Sequence, residues 1–115
     1  LNVERFREQA LALPHVTEDF PFDEHTLVFR VGGKIFALLP LEKRGSVNLK
    51  CDPERAIQLR ERYSAIRPGY HMNKAAWNTL EFEELPSDLV VELLQHSYDL
   101  VWKGLTKKVR QSLEP

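Results

Sequence analysis

The sequence predicts an α+β fold, a single antiparallel sheet with helices packed on one face, in the order α-β-β-β-α-β-β-α-α. Three observations predict it. Gly32-Gly33 separates two runs rich in β-branched and aromatic residues, 26–31 and 34–40, and such a pair supplies the positive φ that a tight hairpin needs. Apolar residues recur at helical spacing near both ends of the chain, at Val3, Phe6, Ala10 and Leu13 and again between Leu89 and Val101. The length of 115 residues suits one domain, 1–115, and 43% hydrophobic with 29% charged residues is globular rather than disordered composition.

The first helix is read over 2–13. Asn2 can accept a free backbone N–H as its N-cap, and Pro14 ends it by removing a donor. Residues 16–23 read as an extended or loop segment, constrained by Pro14 and Pro21. Strands follow at 26–31, 34–40 and, after a turn ended by Gly45, at 46–50, and the three form an antiparallel meander. Asp52 and Pro53 mark a helix start, with a carboxylate as N-cap and proline where φ is already helical. Ala56, Ile57, Leu59, Arg60 and Tyr63 continue that helix. Residues 66–69 read as a turn, in a stretch where the order also allows a short strand, and 76–83 reads as a strand with Trp77, Thr79 and Glu81 on one face. Ser87 is read as the N-cap of a long helix to about residue 102, with Leu89, Val90, Leu93, Leu94, Ser97, Tyr98 and Val101 as its apolar stripe. Thr106 caps a short last helix through Leu113.

Charge narrows the function classes. Sixteen Lys and Arg face seventeen Asp and Glu, net −1, which excludes a generic, strongly basic nucleic-acid coat and requires any phosphate site to be a local patch. Residues 34–79 supply one, with nine basic and four acidic side chains, against three and six before them and four and seven after them. Lys103, Lys107, Lys108 and Arg110 meet no acid between positions 100 and 113, although cations also complement the negative end of a helix. Cys51 is the single cysteine, so no intramolecular disulfide forms, and a reducing cytoplasmic setting is expected. No apolar run approaches the ~18–20 residues of a membrane span. The chain opens on Leu1 without a signal-peptide pattern and is read as having a trimmed start.

Most catalytic patterns fail. Gly33-Lys34 would need glycine at Val28 and serine or threonine at Ile35 to be a P-loop, and it lies between two strands. No serine stands in a Gly-x-Ser-x-Gly setting. A thiolate at Cys51, beside Lys50 and a helix start, would have a lowered pKa, but a plain buried cysteine is the preferred reading. His15, His25, His71 and His96 form no His-x-x-x-His pair, and Glu18, Asp19, Asp23 and Glu24 read as a solvated acidic face rather than a cation site. The densest polar and aromatic run is 67–79, which holds Arg67, Tyr70, His71, Asn73, Lys74, Trp77 and Asn78; donors beside stacking rings are what nucleic-acid sites use. The structural alternative makes Tyr70 and Trp77 core anchors and has Asn73 and Asn78 satisfy loop backbone groups.

Several segments carry a resemblance. Leu13-Pro14-His15-Val16-Thr17-Glu18, Gly33-Lys34-Ile35-Phe36-Ala37, Asn48-Leu49-Lys50-Cys51-Asp52-Pro53, the run from Met72 through Asn73-Lys74-Ala75-Ala76-Trp77-Asn78-Thr79, and Ser97-Tyr98 occur in the order seen in the MmcQ/YjbR family of small bacterial proteins. Asn-Lys-x-x-Trp-x-Thr is the most specific of these. The resemblance implies a compact α+β fold similar to a double-wing DNA-binding architecture, and no established reaction. One position departs: the residue before the motif tryptophan is commonly histidine in the family and is Ala76 here, so imidazole chemistry at that place is absent.

The expected function is therefore a non-enzymatic DNA-binding protein without cofactor or metal. Its candidate surface is Lys34, Lys50, Arg67, His71, Lys74 and Asn78, flanked by Lys107 and Lys108, with Trp77 and Tyr98 as structural support from the core. An adaptor that takes an acidic protein partner or a small anionic ligand on the same surface is the alternative. A monomer or weak dimer is expected.

Overall fold

In the computed structural model, which describes residues 1–69 and 72–114, four helices and six strands build one sheet and its cover. The helices are α1 (Val3–Leu11), α2 (Pro53–Arg62), α3 (Ser87–Gly104) and α4 (Lys107–Leu113). The strands are β1 (Val16–Asp19), β2 (Thr26–Val31), β3 (Lys34–Pro40), β4 (Ser46–Lys50), β5 (Ile66–Pro68) and β6 (Trp77–Glu81), with a single 3₁₀ turn at Phe82–Glu84. The sheet runs β1-β2-β3-β4-β6-β5 and every pairing is antiparallel.

The caps act as their residue types require. Asn2 Oδ1 accepts from the Arg5 N–H at 2.8 Å, Asp52 Oδ2 from Arg55 at 3.1 Å, and Thr106 Oγ1 from Val109 at 3.2 Å. Gly32 and Gly33 take φ of +58° and +81° in the β2–β3 turn, as that hairpin demands.

Helices α1, α2 and α3 cover one face only. Val47, Leu49 and Leu80 point to that face and join Phe6, Phe29, Phe36, Phe82, Val90 and Leu94 in the core. Phe6 stacks on Phe82 with ring centroids 5.6 Å apart and meets Phe29 edge-on at 6.2 Å. The other face of β4 and β6 carries Ser46, Asn48, Trp77, Thr79 and Glu81, by the alternation of a strand, and among the described residues no helix packs over it.

One irregularity positions the site. The register of β2 against β3 shifts between Phe29 and Arg30, a bulge that turns both Phe36 and Ala37 inward, and β3 then pairs with β4 only at Ala37↔Leu49 and Leu38↔Asn48. The wholly buried hydroxyl of Ser97, on α3, closes the gap below those pairs. It donates to the Phe36 carbonyl at 2.6 Å and accepts from the Lys50 N–H at 2.9 Å.

Three details differ from the expected elements. Residues 16–19 form the edge strand β1, because Val16 and Glu18 are half-buried while Thr17 and Asp19 face solvent. Residues 66–68 form a short edge strand, where Pro68 needs no ladder donor. Ser87 is the first residue of α3 rather than its cap; Pro86 stands at the cap and Ser87 Oγ accepts from the terminal amine of Leu1 at 3.2 Å.

Candidate nucleic-acid interface

The strand directions bring distant lysines to one end of the sheet. The start of β3, the end of β4 and the start of β6 all lie there, and with them Lys34, Lys50 and the segment that carries Lys74. Helix α4 joins this end: a side chain added at Gly32 would meet Leu105 at 2.6 Å and Val109 at 3.1 Å, so the β2–β3 turn sits directly against the start of α4 and brings Lys107 and Lys108 near Lys34. Lys34, Lys74, Lys107 and Lys108 are exposed and Lys50 is half-buried. None of the five ion-pairs with a carboxylate among the described residues.

The arginines behave differently. Arg55 pairs with Glu92, Arg44 with Glu4 at 3.1 Å, and Arg67 with Glu81 at 2.6 Å across β5 and β6. Arg60 donates to Asn78 Oδ1 at 2.8 Å and to the Lys74 carbonyl at 3.2 Å. The excess positive charge of residues 34–79 is thus largely tied into structure at its arginines and left open at its lysines.

Two candidate residues are corrected by their surroundings. Asn78 alternates to the helix-covered face, is 1% exposed, and donates through Nδ2 to the Ala56 carbonyl of α2 at 3.3 Å; it holds α2 to the sheet and reaches no ligand. Trp77 alternates the opposite way, onto the helix-free face across from Lys50, and is half-buried, so it does not support the site from the core. Tyr98 is a core residue: it is 6% exposed, meets Phe36 edge-on at 5.4 Å, and donates its hydroxyl to the Pro14 carbonyl at 2.6 Å. The expectation for His71 lies outside the described residues.

Cys51 is buried, and burial pushes its thiol up to about 11, which removes any reading as a reactive thiolate. His96 Nε2 accepts from the Asp52 N–H at 3.1 Å, and its burial, with the Arg55 charge, holds it below the ordinary histidine range. The acidic group near the amino end is distributed among separate partners. Glu18 pairs with Arg7, Asp19 with Arg30, and Asp23 Oδ1 accepts from the N–H groups of His25 and Thr26, both at 2.8 Å, which lowers the Asp23 pKa. Among the described residues no three His, Cys, Asp or Glu side chains gather as metal ligands, and no helix is long and apolar enough to cross a membrane.

The helix-free face also holds a polar groove of about 730 Å³. Its floor is Ser46, Asn48 and Thr79, with Arg67 and Lys74 on the β5 side and Asp23 and Glu42 on the β2 side. Of the expected residues, Arg67 and Lys74 line this groove, whereas Lys34 follows the β2–β3 turn, against which Leu105 and Val109 beside Lys107 and Lys108 pack. Ser46 and Asn48 were readable in principle, since Ser46, Asn48 and Lys50 put three polar side chains on one face of an otherwise apolar strand.

Comparison with known proteins agrees with this architecture. A family model described as YjbR matches residues 11–100. YbdF of Escherichia coli O157:H7, an uncharacterized protein, is 39% identical over 97% of this chain and 93% of its own length. The uncharacterized protein YjbR of Escherichia coli K12 is 29% identical over 98% of both chains. Among solved structures, a Deinococcus radiodurans protein of the DUF419 domain type superposes with a TM-score of 0.89 at 42% identity, covering 96% of this chain and 86% of that one. A Pseudomonas syringae protein superposes with a TM-score of 0.74 at 28% identity, covering 87% of this chain and 98% of that one.

Proposed function

The chain belongs to the YjbR family, and from that premise we propose that it is a non-enzymatic DNA-binding protein whose phosphate contacts are Lys34, Lys50 and Lys74, with Lys107 and Lys108 as a flank. One observation carries the reading. These lysines lie toward the same end of the sheet, and no carboxylate among the described residues neutralises them, although the protein as a whole is at net −1. An ammonium without an internal partner keeps its full attraction for phosphate and releases a counterion when it binds. Repulsion from the rest of the surface keeps the affinity modest.

Three to five phosphate contacts give a log–log salt slope of about −3 to −4.5, which weakens binding about 40- to 500-fold between 50 and 200 mM salt. Fluorescence anisotropy with labelled duplexes of two lengths, at both salt concentrations, measures this directly. The expected result is affinity that rises with duplex length and falls with that slope. Flat anisotropy at low salt and high protein concentration contradicts the proposal.

A further inference from the structure

The turn from α1 into β1 carries a ring that the turn itself does not need. Among the described residues other than glycine, His15 alone has a positive φ, +65°. Residues with side chains adopt that left-handed region uncommonly, and glycine would make the same turn more cheaply. Two rings of α3 hold the imidazole in place. Tyr98 donates its hydroxyl to the Pro14 carbonyl at 2.6 Å, which fixes the peptide before His15. Trp102, one helical turn on, stacks on the His15 ring with centroids 6.2 Å apart and planes 14° from parallel. Tyr98 and Trp102 are themselves 9° from parallel at 6.3 Å. Tyr98 is buried, Trp102 half-buried and His15 exposed, so the row of rings runs from the core to solvent and ends on the imidazole. An exposed side chain held in an uncommon backbone conformation points to a use beyond packing.

This ring stands at the lysine end. Val16 pairs with Val31 and Val31 with Lys34, so Lys34 lies on the same side of the sheet as Val16, two strand spacings or about 10 Å away. Lys103 follows Trp102, and Lys107 and Lys108 lie between Leu105 and Val109, which pack against the β2–β3 turn. All four lysines are exposed, and none pairs with a carboxylate among the described residues. Burial, then the charges of Asp99 and Glu114, raises the Tyr98 pKa, so those two carboxylates lie near the inner ring and repel phosphate from it.

We propose that the exposed His15 ring stacks an unpaired base of single-stranded DNA while Lys34 and Lys107 hold the flanking phosphates. The inference rests on the DNA-binding reading above and narrows its substrate to a strand with splayed bases. A base inside a duplex already has both faces stacked and offers neither to an exposed ring, whereas every base of a single strand has a free π-face. A small anion would use the lysines and leave the ring without a partner. Stacking one base on a side-chain ring, taken at the low end of its usual range for an imidazole, favours binding about five- to tenfold.

Fluorescence anisotropy on the whole chain, with a labelled oligodeoxyadenylate and an abasic strand of equal phosphate number, tests this. The phosphate contribution is the same for both strands, so a difference between them reports the bases. The base-bearing strand is expected to bind about five- to tenfold more tightly, and His15→Gly, which suits the positive φ and removes the ring, to bring it down to the level of the abasic strand. A second readout needs no variant: the His15 ring protons move upfield under the stacked base when oligodeoxyadenylate is added and stay in place with the abasic strand. Equal affinity for the two strands, a preference that survives His15→Gly, or unmoved ring protons overturns the inference and leaves the phosphate contacts standing. Binding of neither strand at low salt overturns both readings.

Discussion

Ser97→Ala removes one oxygen and leaves two backbone groups without their partner. Ser97 Oγ joins the Phe36 carbonyl to the Lys50 N–H where the β2–β3 bulge has opened the ladder between β3 and β4. The Lys50 N–H points toward β3, because the next amide, Cys51, points the other way to the Ala76 carbonyl at 2.8 Å. Nothing in the alanine variant replaces the hydroxyl at a wholly buried position. An unsatisfied buried donor or acceptor costs about 1–3 kcal/mol, so the pair costs about 2–6 kcal/mol, a large share of the 5–15 kcal/mol that holds a typical domain. Urea unfolding followed by far-UV circular dichroism reads the loss as a lower midpoint with an unchanged slope. A loss below about 0.5 kcal/mol refutes the reasoning, since it means the two groups find other partners. The same variant loosens the strand end that bears Lys50, so weaker DNA binding is expected together with lower stability.

Two further outcomes follow from the titrating groups. His96 accepts from the Asp52 N–H and is held below its ordinary pKa of 6.5 by burial and by Arg55, against the opposing charges of Glu92, Asp52 and Asp99. Below pH 6.5 the unfolded chain takes a proton that the folded chain resists, so this contribution is complete above pH 6.5 and is lost as pH falls through the lower folded value. Urea midpoints at about pH 7.5 and 5.5 should show that decline, and His96→Gln, which keeps an acceptor without the titration, should flatten it. Cys51, with its thiol pushed up to about 11 and its side chain buried, should react with a thiol reagent at pH 8 only as fast as the protein unfolds; rapid labelling of the native chain contradicts its placement.

Local signals were strong where one residue type answers one backbone need. Asn2, Asp52 and Thr106 cap helices because their oxygens reach orphan N–H groups, and Gly32-Gly33 turns the hairpin because only glycine accepts both φ values cheaply. The stripe of α3 was legible down to Ser97 and Tyr98. Edge strands were harder. Pro14 and Pro21 left 16–23 readable as extended or loop, and Val16-Thr17-Glu18-Asp19 has a single apolar residue to mark a buried side, while Glu18 and Asp19 form cross-element pairs with Arg7 and Arg30. The site was legible only in part, because residue type does not say which side of a strand faces the helices. Asn78 and Trp77 are neighbours on β6, and one residue of register sends the amide inward to Ala56 and the indole outward toward solvent. Nor does a count of cations separate the arginines tied to Glu81, Glu92 and Glu4 from lysines that have no such partner.

The account rests most directly on the lysines at one end of the sheet. Anisotropy of a labelled duplex at low salt, comparing the parent chain with Lys34→Ala/Lys50→Ala/Lys74→Ala, tests it in one titration. The prediction is a salt slope shallower by about 3 and affinity lost almost entirely, with an unchanged melting profile. Equal affinity in the two proteins, or no binding by the parent chain, contradicts DNA recognition through this end of the sheet.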